Sequence, residues 1–172
     1  MLSIKAGAVV VAMLLTQSAA DRYARVLVDN GRLVIVTEDG RSIAPPNDRE
    51  QVGTEGATIS PDRESVAWLA LYAKCCTPEP HPMRLLVLSG GKLRSLKGQL
   101  GEPIARWQFQ DGGRRVAFRE ETPHGSRGLH YELWDVRTGR RVADYKPAYD
   151  SSGRVTARPD EPGWVRLLEN QK

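Results

Sequence analysis

Apolar and polar residues alternate along most of the chain, and alternation at period two is the mark of half-buried β-strands. The stretch RVLVDNGRLVIVTEDGRSI, residues 25–43, reads most plainly. Two β-rich runs meet at Asn30-Gly31, and a second turn follows at Asp39-Gly40. Both dipeptides suit the positive φ angles of a two-residue hairpin turn. The same punctuation returns at Gly90-Gly91 and Thr138-Gly139, at intervals close to fifty residues. The pattern predicts an all-β chain of antiparallel hairpins.

A longer phrase repeats at the same interval: ISPDRESVAW at 59–68 and FQDGGRRVAF at 109–118. In each copy an apolar residue, Ile59 or Phe109, closes one strand and a polar turn follows. Val66-Ala67-Trp68 or Val116-Ala117-Phe118 then opens the next strand. Pro61 has its φ already fixed for a turn, and Asp62 can bond the neighbouring backbone. Gly112-Gly113 reaches the same bend through permissive dihedrals. The alanine points away from its bulky neighbours, to a face where a second sheet can come close. Two markers with one period indicate stacked or radially arranged units. Each unit holds four strands: 57–60, 65–72, 83–89 and 92–96, then 104–110, 115–121, 130–137 and 140–146. The front, 22–45, supplies about three strands; RVTARP and GWVRLLE in the tail supply two or three.

These phrases resemble the repeat of TolB-like (WD-like) β-propellers, which runs aromatic-Ser-Pro-Asp-Gly, two variable residues, aliphatic, Ala, aromatic. LWDVRTGR at 133–140 is similar to the third-strand signature of WD repeats through Trp134-Asp135. The resemblance covers 57–146, and YDSSGRVTA at 149–157 is a degraded third copy. Arg63 stands where the family has Gly, the second copy lacks Ser-Pro, and no Gly-His dipeptide precedes either unit. The resemblance implies antiparallel four-stranded blades in a single domain over 21–172, with units at about 22–45, 57–96, 104–146 and 147–170. That is an incomplete or small propeller. Its strand edges need covering, by the chain's own tail or by pairing in a homodimer.

The first twenty residues stand apart. Lys5, the apolar run Ala6–Leu15 and the small residues Ser18 and Ala20 follow the three-part plan of a signal peptide. The run is shorter than the roughly 20 residues that span a bilayer. The expectation is export, to the periplasm or beyond, with no membrane span once the leader is removed. The net charge of +4 is mild, and its basic excess gathers in 84–146, where it reads either as the wet side of alternating strands or as a surface that, with the inserts, meets an anionic partner such as lipid head groups, cell-wall polymer or an acidic protein face. No nucleic-acid partner is expected.

Candidate chemistry is sparse. There is no Gly-x-Ser-x-Gly elbow, P-loop, dinucleotide fingerprint or Cys-x-x-Cys pair. Asp62, Asp111 and Asp135 read as turn and blade residues, and Trp107, Trp134 and Trp164 as core or sheet-face anchors; an exposed Trp could also stack on sugar rings. Cys75-Cys76, the only two cysteines, lie in the Pro-rich insert YAKCCTPEPHPM. In an oxidising compartment they read as a disulfide, within the chain or across two chains, against free thiols. With His81 they also offer sulfur and nitrogen ligands for copper or zinc. A second insert, ETPHGSRGLH, carries His124, Arg127 and His130 at the corresponding point of the next unit. Two inserts at equivalent points project from one face, so 73–82 and 121–130 are the expected contact surface. The sequence therefore points to an exported, non-enzymatic binding module for a protein or envelope component, of adaptor, inhibitor or immunity type, with no cofactor. The alternative is a metal-handling or enzymatic protein centred on Cys75, Cys76 and His81.

Overall fold

The computed structural model describes residues 21–73, 77–122, 128–151, 154–156 and 160–170. The expected leader, 1–20, lies outside them. The described residues form three consecutive antiparallel sheets and one short helix. The first sheet is β1 (Tyr23–Asp29), β2 (Arg32–Thr37) and β3 (Ser42–Ile43). The second is β4 (Gln51–Ile59), β5 (Ser65–Tyr72), β6 (His81–Ser89) and β7 (Lys92–Leu96), paired in that order. The third is β8 (Ile104–Gln110), β9 (Arg115–Glu120), β10 (His130–Asp135) and β11 (Arg140–Tyr145), again a simple meander. The turns at Asn30-Gly31 and Gly90-Gly91 have the positive φ angles that the dipeptides promised.

The sheets pack face to face in chain order, and period-two alternation assigns each side chain to one interface. Val66, Trp68 and Ala70 of β5, with Leu86 and Leu88 of β6, meet Tyr23, Leu33 and Ile35 of the first sheet. The intervening Ala67 and Leu69, with Leu85 and Val87, meet Ile104, Val116 and Phe118 of the third. Ala67 is fully buried in this second interface, as the small residue between two bulky ones predicts. One face of the third sheet remains, with Ala117, Tyr131 and Leu133, and a helix covers it.

That helix, α1 (Gly163–Glu169), is where the structure departs most from the sequence expectation of a closing strand at GWVRLLE. Pro162 leads into the first turn with its fixed φ. Val165 and Leu168, three apart, both become fully buried, while Leu167 between them stays 61% exposed. That is helical spacing, and a seven-residue segment is too short to distinguish it from alternation by eye. Arg119 clamps the far end through two hydrogen bonds to the Glu169 carboxylate, at 2.8 and 3.0 Å. Gln110 donates to the Trp164 carbonyl at 2.8 Å. Among the described residues of 149–157, Tyr149 and Val155 form an isolated bridge.

The repeated turns lie side by side. The Asp62 amide donates to the Gly112 carbonyl at 3.2 Å, so β4 and β8 end at the same rim. At Gly113, φ is +110°, and a Cβ there would stand 2.6 Å from the Asp62 carboxylate oxygens. Arg63 adopts φ +65°, a conformation that favours glycine. Its guanidinium is held by the Tyr23 carbonyl at 3.1 Å and Glu38 at 3.2 Å, contacts a glycine could not make. The Tyr23 amide in turn donates to the Arg63 carbonyl. β1 thus starts where β4 ends, and Gly31 at its far end approaches Gly53 near the start of β4. β1 therefore runs antiparallel to β4, in the direction of β5. The first sheet has no counterpart of β4 and β8 among the described residues.

Candidate functional site

The residues singled out from sequence fare differently. Cys75, Cys76, His124 and Arg127 lie outside the described residues, and with them the disulfide and the cysteine metal site. His81 opens β6, and its Nε2 lies 3.0 Å from the Thr77 hydroxyl. His130 differs from expectation: it opens β10 and is wholly buried, so it offers a partner no surface. Asp135 keeps its turn role. Its carboxylate accepts from the Thr138 hydroxyl and amide, both at 2.7 Å, and these bonds lower its pKa below the usual carboxylate value.

His130 belongs to a buried centre that the sequence reading did not single out. His130 pairs across the strands with Glu120, and Glu132 is two residues further along β10. All three side chains therefore share the face of the third sheet that meets the second, and all three are fully buried. His130 Nδ1 lies 3.3 Å from Glu120 Oε2 and 3.2 Å from Glu132 Oε1. His130 Nε2 faces Asp144 Oδ2 at 3.5 Å, and Arg141 stands 3.6 Å from Glu132. The connector between the sheets folds over this centre. Gln99 N–H donates to Glu132 at 2.7 Å, and the Leu100 and Glu102 amides donate to Glu120 at 3.0 and 3.1 Å. Trp134 Nε1 donates to Glu132 Oε2 at 2.8 Å. Gly98 is required here, because a Cβ would come within 1.9 Å of the Glu120 carboxyl carbon. The signal was in the alternation: Phe118-x-Glu120 and His130-x-Glu132-x-Trp134 put carboxylates in phase with core aromatics.

Two open clefts lie elsewhere among the described residues. One, of about 330 Å³, lies between β4 and β8, each an edge strand of its sheet, and is lined by Thr58, Ile59, Pro61, Trp107 and Phe109. The two aromatic rings meet edge to face at 5.7 Å and are both half-buried. The second, also about 330 Å³, lies at the turn rim, where Asp62, Glu64 and Asp135 face Arg114 and Arg137. Its mixed charges are largely engaged with local turns.

No protein-family model and no curated protein matches the chain. Among solved structures, hydrazine synthase from Kuenenia stuttgartiensis is similar with a TM-score of 0.43 and 13% identity. The likeness covers 78% of this chain and 38% of that one, so the chain spans well under half of its length. A likeness this slight says nothing about function. No helix among the described residues is long and apolar enough to cross a membrane.

Proposed function

We propose that the protein is an exported, non-enzymatic binding module, built as an incomplete β-propeller, that holds a segment of a partner protein. The blade reading is supported by two four-stranded meanders with parallel first strands, packed face to face at one sequence period. The observation that carries the binding reading is the aromatic cleft between β4 and β8. Edge strands offer unpaired backbone N–H and C=O groups, and an extended segment laid along such an edge gains main-chain hydrogen bonds. Trp107 and Phe109 beside those edges supply an apolar pocket for its side chains, and such half-buried aromatics dominate many interfaces. The cleft, and not the inserts alone, is the proposed contact surface.

The test compares wild-type protein with Trp107→Ala and with the exposed control Val142→Ala in capture from envelope extract. A partner held by wild type and the control but lost from Trp107→Ala, with folding intact, supports the reading. Equal capture by all three, or none by any, overturns it. Export is tested separately by N-terminal sequencing of protein from the periplasm, which should begin at Asp21. A chain that retains Met1 in the membrane fraction refutes it.

A further inference from the structure

We infer that Glu120, His130 and Glu132 form a divalent-cation site between the second and third sheets, with zinc the best-matched ion. This inference is independent of the aromatic cleft. The three ligand atoms lie within 4.8 Å of one another. His130 Nδ1 faces two carboxylate oxygens at 3.2 and 3.3 Å. Charge-assisted hydrogen bonds from nitrogen to carboxylate contract to about 2.7–2.9 Å. One Nδ1 proton shared between the two acceptors would make a bifurcated bond, longer and weaker to each. Nitrogen and oxygen ligands at about 2.0–2.2 Å from a tetrahedral ion lie roughly 3.3–3.6 Å apart, close to the 3.2 and 3.3 Å that separate Nδ1 from the two carboxylate oxygens.

Charge points the same way. Glu120 and Glu132 bring two formal negative charges at wholly buried positions, while Asp144 and Arg141, 45% and 36% exposed, offset each other at the rim. A neutral imidazole leaves a deficit of two beneath a connector that excludes water, where unbalanced charge is costly. A divalent cation closes the balance. His130 then ligates through the Nδ1 lone pair and donates Nε2–H to Asp144, the outer carboxylate arrangement common around metal-ligating histidines. The amides of Gln99, Leu100 and Glu102 and the Trp134 indole orient the ligating carboxylates as second partners. Binding displaces the Nδ1 proton to solvent wherever that nitrogen was protonated.

The experiment uses the untagged full chain, stripped with chelator, dialysed against Zn²⁺ and assayed for bound metal. One equivalent per chain is expected, retained in the triple variant Cys75→Ser, Cys76→Ser, His81→Ala, and lost in Glu132→Gln. Asp144→Asn alters only the half-exposed outer carboxylate and should fold; it should weaken zinc binding about 10- to 100-fold. Absence of zinc from folded wild type overturns the site. So does zinc retained in Glu132→Gln, full affinity in Asp144→Asn, or loss only in the triple variant.

Discussion

Trp68 and Phe118 hold the same place in the two repeated phrases, and truncating each to alanine tests whether they serve the same purpose. Phe118 is fully buried in the interface of the second and third sheets and stacks on Trp134 at a centroid distance of 6.3 Å. Trp68 is 2% exposed in the interface of the first and second. Removing a buried aromatic costs about 3–5 kcal/mol, as lost transfer energy plus an unfilled cavity. A stacked aromatic pair adds roughly 0.5–1.5 kcal/mol beyond its area, which places Phe118→Ala toward the upper end. A domain of this size has a total stability of about 5–15 kcal/mol, so either variant forfeits a large share. At about 2–4 °C per kcal/mol, the melting temperature should fall by roughly 6–20 °C in each. Urea denaturation followed by tryptophan fluorescence, with circular dichroism as a second probe, measures both. If either variant loses less than about 1 kcal/mol, that residue does not fill an intersheet core and the two phrases are not structural equivalents.

Other expectations follow from single contacts. Glu169→Ala removes two acceptors of the largely buried Arg119 and leaves only the Glu121 carboxylate to sustain its charge against burial; it should cost about 1–3 kcal/mol in urea melts, and a melt identical to wild type would show that α1 is not clamped there. Gly98→Ala places a methyl against the Glu120 carboxylate and should raise hydrogen exchange at the Leu100 and Glu102 amides; unchanged exchange contradicts the reported geometry. Asp135 titrates below its ordinary 3.8 because of Thr138. A lowered folded pKa stabilises above the unfolded value and ceases to do so as pH falls through the folded one. Thr138→Val should therefore raise the Asp135 pKa in a carboxyl-carbon NMR titration and narrow that stabilisation near pH 4; an unmoved pKa would refute the assignment.

The strands were legible because alternation, hairpin dipeptides and a repeated phrase all gave one register. β5, β7, β8 and the turns between them lie where those signals put them. β4 starts six residues before the expected strand at 57, because Gly53 and Gly56 conceal it. Its register shifts twice along β5, and Gly56 has φ +62°. Such irregular strands leave no clean period to read. The tail misled for the opposite reason: α1 is a short amphipathic segment whose partner face, on β8 and β9, is supplied by tertiary packing. The buried centre was missed because a charge within a strand is ordinarily assigned to the wet side. Only the phase of Glu120 with Phe118, and of Glu132 with Trp134, marks those carboxylates as inward.

The most direct test of the binding account places a photo-crosslinking residue at Thr58, on the wall of the aromatic cleft, in the full chain expressed in cells. Leu93 on β7, at the opposite edge of the same sheet and 38% exposed, is the control position. The account predicts a discrete protein adduct from position 58 that is absent from position 93 and disappears when Trp107→Ala is added. No adduct from position 58, the same adducts from both positions, or an adduct that survives Trp107→Ala would contradict it.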